Sequence, residues 1–167
     1  AAVTQGDVAD AWLSTFLGQP CRLMRFDPEA RRLSNTKYTG EVQSPYKFAD
    51  AFALLVASAA SLDDLNGRLA QRGVGPVGIE RFRPNVALRG IDAFEEDFVK
   101  HLRIGEVELN VVKPCVRCSV PNVDPATGET SHEPGDTLAL YRDSAAAGGV
   151  TFGVNAIVAA GAGTEVS

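Results

Sequence analysis

Residues 106–112, "EVELNVV", set Val107, Leu109 and Val111 in strict alternation with Glu108 and Asn110. A period of two sends the apolar side chains to one face of a pleated strand and the polar ones to the other, so this segment belongs to a sheet with one buried face. The apolar run ends in "VVKPCVRCSV" (111–120), which carries Cys115 and Cys118 three residues apart. Further strand-like segments lie at 21–26, 52–57, 85–90 and 151–158, separated by glycine and proline as in "GVGPVG" (73–78) and "DPATGE" (124–129). In the latter, Asp124 starts a turn with Pro125 preset and Gly128 free to take a positive φ.

Two stretches have helical spacing. Residues 7–18 place Val8, Trp12, Phe16 and Leu17 on one side, with Asp7 as the expected N-cap and Gly18 just past the end. Residues 61–72 put Leu62, Leu65 and Leu69 on one face, with Ser61 and Asp64 in the arrangement of an approximate capping box. Short strands with irregular links and few helices predict a mainly β, α+β fold: a closed β-barrel with flanking helices. No repeat or internal boundary interrupts the chain, so residues 1–167 read as a single domain.

Composition excludes several function classes. A net charge of −5 and a pI near 5.0 lack the basic face of a nucleic-acid binder, so no nucleic-acid partner is expected. The longest apolar run, "AFALLVASAA" (51–60), is well short of the roughly 20 residues of a membrane span, so no membrane partner is expected either. Three cysteines, an odd number, do not make a disulfide framework, which places the chain in a reducing, cytoplasmic setting.

For Cys115 and Cys118 the spacing leaves several readings. A zinc site lacks a second ligand pair, because Cys21, His101 and His132 stand alone. A thioredoxin-type dithiol needs a helix after the motif, whereas "SVPNVDP" follows. What remains is a thiolate bound to something the chain does not make, favoured by neighbouring Lys113 and Arg117, or simply two small residues at a strand-to-loop junction. On spacing alone, the junction is the plainer reading.

Longer blocks of sequence add a resemblance. "FADAFALLVASAASLDDLN" (48–66), "RFRPNVALRG" (81–90), "IDAFEEDFVKHLRIGEVELNVVKPCVRC" (91–118), "NVDPATGE" (122–129) and "FGVN" (152–155) together resemble the MOSC domain family, in particular its bacterial YcbX-like, amidoxime-reducing branch. The resemblance implies a pyranopterin molybdenum cofactor (molybdopterin) whose metal is held by the thiolate of Cys118, with Cys115 packing beneath the loop. It also implies that Arg83 and Asn85 face the cofactor. Arg117, between the cysteines, reads either as a group that orients substrate or tunes the thiolate or as an exposed loop arginine. Ser58 and Ser61 precede the second helix, where free N–H groups could receive a phosphate. Asp63 and Asp64 already complement the dipole there, however, and Ser61 also reads as the helix cap.

The implied activity is reduction of N-hydroxylated compounds, with a small-molecule substrate. No flavin or haem motif is present and three cysteines cannot build a four-cysteine iron–sulfur cluster, so electrons are expected from an external donor such as a ferredoxin-like or flavin reductase. Two alternatives remain: a sulfur carrier using a Cys118 persulfide, and a non-catalytic cofactor-binding module. The chain departs from the family pattern in carrying Val116 where the reductases commonly have serine. The resemblance further implies a fragment without the preceding N-terminal barrel domain and without the final barrel strand.

Overall fold

The computed structural model describes residues 2–165. The alternating segment forms the core of a ten-residue strand, β6 (Val107–Val116), longer than the pattern predicts. It continues past residue 112 because register shifts between Val111 and Lys113 and between Pro114 and Val116 accommodate Pro114, which has no N–H to give to the ladder. Beside it runs β8 (Gly149–Ala160), the central strand, which also pairs with β3 (Leu54–Ser58). Two short strands, β4 (Val86–Leu88) and β5 (His101–Ile104), complete the order β4-β3-β8-β6-β5, with β3 and β4 parallel and the other pairings antiparallel. Gly153 permits the close passage of β8 against β3: its φ is +69°, and a Cβ there would lie 2.6 Å from the Val56 carbonyl oxygen.

The sheet curls around one apolar cluster of Val56, Val107, Leu109, Val154 and Ala156. Val86 and Leu88 from one edge and Leu102 and Ile104 from the other pack against this same cluster, so both edges wrap a shared interior. Yet β4 and β5 are not paired with each other, and the expected closed barrel is instead an open, curled half-barrel within an α+β fold. Closure requires the two edges to meet and share a ladder, and β4 and β5 share none. The link between them is held elsewhere, at its 3₁₀ turn Glu95–Phe98, by hydrogen bonds from β3 and the following helix to Glu96.

The convex face is covered by α3 (Ala59–Gln71) and α4 (Gly135–Arg142), which bury Leu65, Leu69 and Leu138 with Ala57 and Val77 around the stacked rings of Phe82 and Phe152, 4.0 Å apart. Helix α3 starts two residues before the expected 61, because the Ser58 hydroxyl, not Ser61, caps it by accepting from the Ala60 N–H. Asp64 pairs with Arg68 instead of closing a capping box. Helix α4, only eight residues long, shows too little periodicity to be expected from sequence.

Before the sheet come β1 (Ala2–Thr4), α1 (Asp7–Leu17), β2 (Met24–Phe26) and the single turn α2 (Thr36–Thr39). The strands β1 and β2 form a separate antiparallel ribbon, so only the end of the expected 21–26 strand is realised. Helix α1 ends at Gly18 in the left-handed region as expected, but Gly6 occupies the cap position and Asp7 lies in the first turn. Its apolar face stays uncovered, with Val8, Trp12 and Phe16 87%, 64% and 74% exposed. A two-residue strand, β7 (Asp143–Ser144), pairs with the start of β8. Among the described residues, no helix is long and apolar enough to cross a membrane.

Candidate functional site

Where β6 ends, the Arg117 N–H still donates to the Val150 carbonyl, at 2.8 Å, so the chain stays on the sheet until one residue before Cys118. The Arg117 side chain then ties three elements together. Its Nη2 donates to the Phe82 carbonyl at 2.9 Å, its Nη1 to Cys115 Sγ at 3.3 Å, and its guanidinium lies 5.6 Å from the Phe82 ring centroid. Below the loop, Arg81 donates to the Pro121 carbonyl and pairs with Asp124 at 2.9 Å, locking the Ile79–Phe82 turn to the Val120–Asn122 turn. Asp124 also starts the expected turn, accepting from the Ala126 N–H. That bond, with smaller help from the Thr127 N–H and the Arg81 guanidinium, outweighs desolvation and holds its carboxyl below the ordinary range.

Braced this way, Cys118 stands exposed at a cavity of about 470 Å³ whose lining also includes Arg83, Asn85, Arg117, Phe52 and Asn155. Four of the six residues singled out from sequence therefore meet at one place. Arg83 follows the Ile79–Phe82 turn with φ +55°, a conformation uncommon outside glycine, and its side chain is exposed. The Asn85 carboxamide oxygen accepts from the Leu55 N–H at 2.8 Å, extending the β3–β4 pairing through a side chain. Among the described residues, its amide nitrogen has no protein partner, and the buried Arg117 Nε has none either. Besides the thiol, the lining holds the guanidinium groups of Arg83 and Arg117 and the carboxamides of Asn85 and Asn155, with Asp50 as a carboxylate at the same cavity, a donor-rich set suited to anions and heteroaromatic edges.

The other two residues lie apart from it. Ser58 and Ser61 are fully buried, and they surround a carboxylate of the chain itself. Ser61 Oγ is 2.7 and 2.8 Å from the two oxygens of Glu96 and accepts from the Phe94 N–H, and the Ser58 N–H donates to Glu96 at 3.3 Å. The position at the start of α3 where an external phosphate was envisaged is filled by Glu96. Nor do the expected cations sit on Cys118: Arg117 reaches Cys115, and the Lys113 ammonium lies over the rings of Tyr38 and Phe52 at 4.9 and 5.7 Å. His101 is exposed and pairs with Asn110 on the neighbouring strand, and His132 is exposed. All three cysteines are free, and among the described residues no three His, Cys, Asp or Glu side chains converge as a metal cluster.

Sequence reasoning missed three parts of this arrangement. Asn155 could have been found, as the one polar residue in the otherwise apolar centre of "TFGVNAIV". Glu96 could not, because "EED" (95–97) reads as a solvated acidic run. The clamp from Arg81 to Asp124 joins residues 43 apart, which no local pattern reports.

The α+β fold thus places one exposed thiol, just past the end of β6, beside Arg83, Asn85 and Arg117 on a single cavity. The chain belongs to the MOSC domain family, whose model matches residues 43–167. It is 40% identical over 141 residues to mitochondrial amidoxime-reducing component 1 of Mus musculus and 38% identical over 141 residues to that of Homo sapiens, matches that cover 82% of this chain. It is also 36% identical over 163 residues, 89% of its length, to a molybdenum cofactor sulfurase of Oryza sativa subsp. japonica. The chain spans 40 and 41% of the length of the two amidoxime-reducing components and 19% of the sulfurase.

Proposed function

We propose that this chain is the molybdenum-cofactor-binding part of a reductase of N-hydroxylated compounds, with Cys118 as the protein's ligand to the metal. The observation that carries the reading is the convergence of an exposed Cys118 thiol with Arg83, Asn85 and Arg117 on one cavity, in a chain so similar to amidoxime-reducing components. The donor set fits the group. A thiolate is a soft, anionic donor for a metal that changes oxidation state. Guanidinium groups suit a phosphate, and the free amide of Asn85 suits a heterocycle edge. The buried, unpartnered Arg117 Nε is the kind of polar atom that a bound acceptor would satisfy.

When bound, the cofactor supplies a two-electron redox centre. The chain's own residues do the rest: Cys118 anchors, Arg83 and Asn85 orient, and Arg117 holds the loop against Phe82. In the net reaction, a hydroxylamine-type substrate takes two electrons and two protons and leaves as the amine plus water. The electrons come from an external donor, ferredoxin-like or a flavin reductase, and an exposed thiol suits a reducing, cytoplasmic compartment. The similarity to a sulfurase along nearly the whole chain supports a second reading, in which Cys118 carries sulfur as a persulfide. Molybdenum and pterin content after expression with molybdate separates the two. Bound metal and pterin favour the reductase, and a cyanide-labile sulfur on Cys118 without pterin favours the carrier.

A further inference from the structure

On the far side of Phe48 from the Cys118 cavity lies a second cavity of about 790 Å³, within the size range of small-molecule sites. Its wall is built, not incidental. Arg32 donates to the Lys47 carbonyl, approaches the Tyr46 hydroxyl at 3.3 Å and stacks over the Tyr46 ring at 4.4 Å. Phe26 and Phe48 meet edge to face with ring centroids 5.5 Å apart. Backbone bonds between Ser34 and Ser44 and between Tyr46 and Arg32 close the loop into a hairpin-like frame.

The charge of this lining is one-sided. Arg25, Arg31, Arg32 and Lys47 border it and no carboxylate does, on a chain whose net charge is −5. Among the described residues, none of these four cations has a salt-bridge partner. Uncompensated cations around aromatic walls select a ligand with an apolar body and a negative head. We propose that this cavity binds a hydrophobic anion, an aromatic or alkyl carboxylate or sulfonate, independently of any group at Cys118. Because Phe48 lines both cavities, an occupant here touches the wall of the Cys118 site.

The test uses the full chain without cofactor and 2-naphthoate as probe, followed by calorimetry and by amide chemical-shift changes. 2-Naphthylmethanol, of nearly the same shape and without charge, serves as the comparison. Naphthoate is expected to bind at least about tenfold more tightly than the alcohol and to shift the amides of residues 24–32 and 45–48. The double variant Arg25→Ala/Arg31→Ala is expected to weaken it roughly three- to tenfold, the scale of two exposed ion pairs. Rising salt should weaken it further. Trp12→Ala, on the uncovered face of α1, is expected to leave binding unchanged. Equal affinity for acid and alcohol, shifts confined to α1, or no binding at millimolar probe would overturn the assignment. Since nothing in this test requires molybdenum, a failure here and a failure of the cofactor reading are separate results.

Discussion

Replacing Glu96 by alanine should be among the most damaging single changes in the molecule. The carboxylate is fully buried, receives a short hydrogen bond from Ser61 and a longer one from the Ser58 N–H, and lies at the positive end of α3. Removing it strands the Ser58 N–H in a fully buried site and deprives Ser61 of its acceptor, at about 1 to 3 kcal/mol for each unsatisfied group. The favourable interaction with the helix end, about 0.3 to 1 kcal/mol and more when partly buried, is lost as well. Against these, the variant no longer desolvates a carboxylate, a gain of several kcal/mol that offsets part of the loss. The losses sum to about 2 to 7 kcal/mol, and with the desolvation gain set against them the net expectation is about 1 to 4 kcal/mol of destabilisation. Glu96→Gln keeps an acceptor for Ser61 and should cost about 2 kcal/mol less than alanine. Urea denaturation of the three proteins, followed by far-ultraviolet circular dichroism, gives both differences. An alanine variant within about 0.5 kcal/mol of the parent, or one more stable than the glutamine variant, would show that Glu96 does not organise the start of α3.

Other outcomes follow from single contacts. Gly153→Ala should destabilise by about 2 to 4 kcal/mol, because it needs a positive φ and meets the Val56 carbonyl at 2.6 Å; thermal unfolding checks this. Burial pushes the Tyr141 phenol up to about 12, with the Asp64 carboxylate acting in the same direction. Its contribution to stability is therefore intact below about pH 10 and lost as pH rises towards 12, and Tyr141→Phe should flatten that alkaline decline in denaturation midpoints. Because the buried Tyr141 hydroxyl has no hydrogen-bond partner among the described residues, the same substitution should be neutral or slightly stabilising near pH 7. Asp124 has the opposite sign: its carboxyl is held below the ordinary carboxylate range, so its contribution is present above that range and lost on further acidification. Asp124→Asn should remove that part of the acid sensitivity, measured as denaturation midpoints between pH 5 and 2.

What the sequence made legible was local. The alternation at 106–112 located the best strand, and the leucine spacing at 62, 65 and 69 located α3, because both patterns reflect one-sided burial by a single element. The cavity residues Cys118, Arg117, Arg83 and Asn85 came from blocks of sequence and not from periodicity, and the fold brings them together at the end of β6, the start of β4 and the end of the Ile79–Phe82 turn. Barrel closure was not legible, since it depends on whether β4 and β5 meet, and strand patterns carry no record of edges. Ser58 and Ser61 looked like free donors at a helix start because nothing in the sequence showed that a glutamate 35 residues beyond Ser61 would fill the space between them. Likewise Lys113 and Arg117 stand next to the thiols along the chain, but Lys113 turns to aromatic rings, and Arg117, besides reaching Cys115, is held by the Phe82 carbonyl, the rings and the carbonyl coming from distant segments.

The central claim is that one thiol, Cys118, holds a molybdenum cofactor. Molybdenum by plasma mass spectrometry and pterin by fluorescence, measured on the parent chain, Cys118→Ala and Cys115→Ala after expression with molybdate, test it most directly. Metal and pterin should be near stoichiometric in the parent, absent from Cys118→Ala and largely retained in Cys115→Ala, whose thiol is half-buried and engaged by Arg117. Equal loss in both variants, or full loading without Cys118, would contradict the account.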